Sequence, residues 1–225
     1  MEKWPLEILA LLVLGGLVSP LLADNGGPDA ILQFYCEQAR LKVAAQHPYE
    51  QALTYSFRAT TYRHNMDDSA RGDSAVIDYF FSNGTLDSQR TVESTSWQPK
   101  GNDVFYPNVF DLDHQYTFYP NDTGGKDLAI GFDRDTVGDQ QPVGLAIIDR
   151  YDYHLRRLYL FYPNKPGFRR FTRLLHFQQQ DGYLFPVSIV ESASKDGVFS
   201  TEHYRVETVF SEITIAGHPS PAQPD

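Results

Sequence analysis

VGLAIIDRYDYHLRRLYLFYPNKPGFRRFTRLLHFQQQDGYLFPVSIVESASKDGVFSTEHYRVETVFSEITI, residues Val143 to Ile215, reads as one run of alternating strands. The strands fall at Val143–Arg150, Leu155–Tyr162, Phe168–Gln178, Leu184–Ser192 and Phe199–Ile215. Turns stand at Tyr151–His154, Gln180–Gly182 and Lys195–Gly197. Turns this short make successive strands antiparallel neighbours. Period-two alternation groups Leu155, Tyr159 and Phe161 on one side of their strand and Phe171, Leu175 and Phe177 on one side of the next. It continues with Phe185, Val187 and Ile189, then Tyr204, Val206 and Phe210. A face this rich in aromatic side chains is either covered by the chain's own elements or left as a concavity for an apolar ligand. At ~25 cal/mol per Å² of apolar area, it drives core formation or cargo binding. Ordinary core is the plainer of the two readings.

Upstream, Leu53–Arg63 alternates Tyr55, Phe57, Ala59 and Thr61 against polar positions, and Ala75–Phe81 is a second β-rich run. Asn83-Gly84 is a two-residue hairpin signal leading into Thr85–Glu93. Thr95–Gly125, punctuated by Pro99, Gly101, Pro107 and Pro120, reads as a long connection with short strand or helical pieces, after which Asp127–Asp133 is a strand. The one clear helical period precedes all of these. Asp29 can cap a helix that carries Leu32, Tyr35, Cys36, Ala39 and Val43 as an apolar stripe, and Pro48 ends it near Gln46. Phe-Tyr-Pro-Asn occurs at Phe105–Asn108, Phe118–Asn121 and Phe161–Asn164. Its spacing is irregular, so it is no repeat architecture. It suits a strand exit, because Pro cannot donate to the ladder and Asn tolerates turns.

The apolar stretch Ile8–Ala23, preceded by Lys3, reads as a secretory leader cut near Ala23 rather than as an anchor, since it falls short of the ~20 residues a bilayer core requires. Residues 1–23 are thus expected to be a signal peptide, 24–216 one domain and 217–225 a disordered tail. The single Cys36 excludes an internal disulfide framework and reads as a small buried hydrophobe. Loss of Glu2, Lys3 and Glu7 with the leader takes the formal charge from −10 to −9. Nucleic acid is a poor partner for that balance.

The seven His residues are scattered without the i, i+4 spacing of a zinc helix. Asp133, Asp135 and Gly138 open like a calcium loop, but Val137 and Gly144 stand at ligand positions. Asp111 and Asp113 with His114 are a conceivable carboxylate pair, and exposed loop acids are the commoner case. No nucleophile elbow or phosphate loop appears. No cofactor or metal is expected. Asn83 and Asn121 begin glycosylation sequons. Arg156, Arg157, Lys165, Arg169, Arg170 and Arg173 form a basic cluster. A guanidinium there could hold a lipid phosphate, with a solvated face as the plainer alternative.

The order of elements, with Asp181-Gly182 followed by Pro186 and Ile189, resembles the LolA/LolB-like lipoprotein-carrier superfamily, including outer-membrane lipoprotein-sorting-like proteins. The resemblance implies a mainly β protein with α: a strongly curved antiparallel sheet, or half-barrel, wrapped around an N-terminal amphipathic helix. It implies a periplasmic, non-enzymatic carrier or sensor of a lipid or lipoprotein acyl chain in a hydrophobic cavity, with an outer-membrane protein as a possible partner. Phe57, Tyr159, Phe161, Phe171, Leu175, Phe177, Phe185, Ile189, Tyr204 and Phe210 are the expected cavity contacts, and Arg169 and Arg173 the expected head-group contacts. The alternative is an exported β-rich scaffold whose aromatics are all core.

Overall fold

The computed structural model describes residues 28–49, 51–68, 72–95, 104–110, 116–121, 125–134, 141–196 and 201–216. The expected leader, residues 24–27 and the tail lie outside them. Helix α1 spans Pro28–Gln46. The strands are β1 (Tyr55–Asn65), β2 (Gly72–Ser82), β3 (Thr85–Ser94), β4 (Thr117–Pro120), β5 (Asp127–Asp133), β6 (Val143–Asp149), β7 (Leu155–Phe161), β8 (Arg170–Gln180), β9 (Tyr183–Asp196) and β10 (Thr201–Ile215).

All ten form one curved antiparallel sheet in the order β3-β2-β1-β10-β9-β8-β7-β6-β5-β4. Two meanders, β1 to β3 and β4 to β10, are joined where β1 pairs with β10. The edges β3 and β4 do not pair with each other, so the sheet stays open. Two of its hairpins turn on residues in the left-handed region: Asn83 (φ 51°) with Gly84 (φ 74°), and Asp181 (φ 51°) with Gly182 (φ 88°). Both central residues of a type I′ turn need positive φ, which Asn, Asp and Gly tolerate best.

Helix α1 buries Leu32, Ala39 and Val43 and half-buries Tyr35 and Cys36, the stripe read from sequence. It lies against β4 and β9. Burial pushes the Cys36 thiol up to about 11, so it stays protonated and unreactive at neutral pH.

Cross-strand register arranges the inner face in rows. The first runs Ala75, Thr61, Thr208, Ile189, Leu175, Leu158, Ala146 and Ile130 across eight strands, buried throughout except for half-buried Thr208. The second runs Arg63, Val206, Glu191, Arg173, Leu160, Gly144 and Phe132. The third holds Asn65, Tyr204, Ala193 and Phe171. On the outer face Asp78 is buried between two cations, with Arg58 Nε 2.7 Å from Oδ1 and Arg90 Nη2 2.6 Å from Oδ2.

One grouping read from sequence is corrected here. Leu155 faces inward, but Tyr159 and Phe161 do not share its side. Ile147 pairs with Arg157 and Ile148 with Leu155, so Arg156 is the extra residue of a β-bulge. The bulge breaks the period-two count, and Leu155, Leu158 and Leu160 become the inward set. Arg156 is held outward by ion pairs to Asp149 and Asp127.

Candidate functional site

After leaving β3 the chain returns across the inner face at residues 104–110, a strap whose Val104, Tyr106, Val109 and Phe110 are buried. Its first half is tied down by three hydrogen bonds with distant elements. Arg173 Nη1 donates to the Phe105 carbonyl (2.8 Å), Tyr49 OH to the Val104 carbonyl (3.3 Å), and Tyr106 OH to the Leu184 carbonyl of β9 (3.3 Å). Under the strap the space is filled by aromatic packing. The Tyr55 and Phe81 rings stack 4.4 Å apart at 7°, Tyr49 meets Phe105 at 4.9 Å, and Tyr106 meets Phe177 at 4.8 Å. The Phe-Tyr-Pro-Asn at Phe105–Asn108 is therefore no strand exit. Its rings roof the sheet, whereas the copies at Phe118 and Phe161 do end β4 and β7.

His47 is buried to 3% exposure between Tyr49 (5.0 Å) and Tyr106 (4.7 Å), and neither ring nitrogen has a hydrogen-bond partner among the described residues. Burial without a counter-charge lowers its pKa to about 4, so it is neutral at physiological pH.

Beside the strap, over the second row, lies an open cleft of about 370 Å³ lined by Phe105, Tyr106, Pro107, Tyr116, Gln141, Pro142, Tyr162 and Arg173. Tyr116 OH donates to the Pro142 carbonyl at 2.8 Å, fixing one wall. Arg173 reaches the cleft from β8 while only 7% exposed, and its Nε is 2.8 Å from Glu191 Oε1 on β9. The pair neutralises a charge that the apolar surroundings would otherwise penalise. Burial pushes the Tyr116 phenol up to about 12, with Arg134 opposing, and also raises Tyr162, with Arg173 opposing. Gln141 Oε1 is buried and has no hydrogen-bond partner among the described residues. The walls therefore offer flat apolar area, phenol groups and one paired cation, which suits binding.

Of the residues expected to contact cargo, Phe57, Leu175, Phe185, Ile189 and Phe210 belong to the continuous core. Phe171 is buried, Phe177 packs against the core, and Tyr204 is half-buried at the far end. Arg169 is exposed and its backbone N–H donates to the Ser194 carbonyl, whereas Arg173 does line the cleft. Sequence reasoning missed Phe105, Tyr106, Pro107, Tyr116, Gln141, Pro142 and Tyr162, which stand in or beside the connections. The dense aromatic and proline content of Phe105–Asn108 was the available signal.

Asp111, Asp113 and His114, as well as Asp135 and Gly138, lie outside the described residues. Among the described residues no group of three or more His, Cys, Asp or Glu side chains could hold a metal, and no helix is long and apolar enough to cross a membrane. A second open groove, about 410 Å³, runs between α1 and Asp152–Tyr153. Near it the helix exposes Ile31, Phe34 and Leu41.

No family model and no curated protein matches the sequence. In structure the chain is similar to a LolA superfamily protein from Nitrosomonas europaea (9% identity, TM-score 0.42, covering 84% of this chain and 94% of that one). It is similar also to a putative outer membrane lipoprotein-sorting protein domain from Vibrio parahaemolyticus (8%, 0.46, 84% and 95%). A third likeness is to a DUF1329 family protein from Desulfovibrio piger (8%, 0.44, 84% and 95%). At such identities and scores the likeness assigns no residue of this chain a role.

Proposed function

We propose that this protein is an exported, periplasmic, non-enzymatic carrier or sensor that binds one acyl chain of a lipid or lipoprotein in the cleft beside the strap. The observation that carries the reading is the cleft itself: about 370 Å³ of aromatic- and proline-lined space beside the packed core. That volume sits at the small end of ligand sites. Burying eight methylenes at ~0.8 kcal/mol each gives about 6 kcal/mol, a dissociation constant in the tens of micromolar before ordering costs. Such weak retention suits a carrier that must release. Arg173 supplies a guanidinium for a head group. Deeper insertion would bring the chain against Leu175, Phe177, Phe185 and Ile189, and requires the strap to lift.

The continuous core under α1 and the strap favours a second reading, an exported scaffold with no cargo. Protein purified without detergent should yield lipid on solvent extraction and mass spectrometry, and added fatty acid should raise its melting temperature in a concentration-dependent way. Blank extracts together with an unmoved melting temperature remove the carrier and leave the scaffold.

A further inference from the structure

The turn from β7 to β8 builds an aromatic cage around a cation. Lys165 Nζ stands 3.3 Å from the centroid of the Phe171 ring, 5.4 Å from that of Tyr162 and 5.5 Å from that of Phe168. The rings are mutually braced. Tyr162 meets Phe171 edge-on at 5.4 Å, Phe168 meets Phe171 at 5.2 Å, and Phe168 leans on Tyr204 at 6.1 Å. Backbone bonds from Tyr162 N–H to the Phe171 carbonyl (3.0 Å) and from Phe168 N–H to the Lys165 carbonyl (3.1 Å) fix the turn. Phe171 is the buried floor, while Tyr162, Lys165 and Phe168 are half-buried, so the cage opens to solvent. Ring faces carry negative potential, and a cage of them selects organic ammonium groups.

We infer that this cage is a binding site for the ammonium of a zwitterionic phosphate ester such as phosphocholine or phosphoethanolamine, and that Lys165 fills it in the free protein. The zwitterion follows from the surrounding charge. The Arg63 guanidinium lies over the Tyr204 ring at 5.2 Å, and Arg173, ion-paired to Glu191, lines the adjoining cleft, so an ammonium that carries its own phosphate finds guanidinium groups near the cage that a bare cation cannot use. Tyr162 walls both cage and cleft. A lipid head in the cage therefore leaves its tail beside the cleft, a link that rests on the carrier reading.

Titration calorimetry on the full exported chain tests the inference with phosphocholine, phosphoethanolamine and tetramethylammonium. The expected order puts either phosphate ester above tetramethylammonium. Lys165→Ala, which removes the internal competitor, should tighten phosphocholine about tenfold, and Phe168→Leu should weaken it about fivefold at an unchanged fold, checked by circular dichroism. A gain of affinity on deleting a positive charge is not what a merely structural lysine would give. Absence of binding by both the native chain and Lys165→Ala at about 10 mM overturns the inference, and so does binding that neither substitution moves. Lysophosphatidylcholine below its micelle concentration and a plain fatty acid separate the two readings. Fatty acid bound without phosphocholine overturns the cage alone. Phosphocholine bound as tightly as the lyso-lipid, with no fatty acid bound, overturns the carrier alone and assigns the cage to a free small molecule.

Discussion

Two neighbouring rows of the same inner face, about 7 Å apart along the strands, meet opposite fates. The row through Thr61, Ile189, Leu175, Leu158 and Ile130 lies in the filled interior, where the chain's own rings take all the room. The row through Arg63, Glu191, Arg173 and Gly144 holds an ion pair at the floor of an open cleft. The difference teaches that surplus apolar area does not by itself make a ligand site. What matters is where the cover leaves a gap, and here the gap is the cleft beside Phe105 to Pro107.

Breaking the filled row should have the largest effect. Leu158 is fully buried, so Leu158→Ala should lower unfolding free energy by about 4 kcal/mol in urea melts, with fatty-acid affinity changed little. Acid attacks the same region through His47. Its pKa falls from 6.5 in the unfolded chain to about 4 in the native one. The native state therefore binds fewer protons in that window, and stability is full above pH 6.5, declines as pH drops and levels off below 4. The loss approaches about 3 kcal/mol, and His47→Phe should flatten the profile of stability against pH between those limits.

The second row should respond more mildly. Arg173→Met leaves the Glu191 carboxylate without its ion-pair partner and frees the strap at Phe105, for a cost of about 2 kcal/mol, and pairing it with Glu191→Leu should restore most of that. If the double substitution stays as unstable as the single one, the strap bond and not the ion pair is the dominant tie. The smallest effect is expected at the rim, where Tyr116→Phe removes the bond to the Pro142 carbonyl for about 1 kcal/mol and widens the cleft's specificity rather than emptying it. Fatty-acid displacement assays on the same variants would show whether stability and binding separate along the two rows.

Much of the architecture is legible in the chain because it depends on near neighbours. The α1 stripe, the period-two runs and the Asn83-Gly84 and Asp181-Gly182 turns are each decided within a few residues by side-chain spacing and backbone sterics. The candidate site was far less legible. Arg173 stands out in the sequence as a basic residue near apolar strands, but its cleft is walled by Phe105 to Pro107 and Tyr116, which lie in connections that carry no period. Tyr159 and Phe161 were misplaced because one extra residue at Arg156 inverts the count, and the bulge is anchored by Asp127 and Asp149 on other strands.

The sequence alone determined that this is an antiparallel, aromatic-rich sheet with one leading helix, since hydrophobic periodicity and turn chemistry are local properties. Only the tertiary structure decided that the β1–β10 pairing joins two meanders, that residues 104–110 pack onto the inner face, and that Lys165 sits inside three rings. Those outcomes depend on register and on residues distant in the chain meeting in space, and no local pattern encodes where such meetings fall.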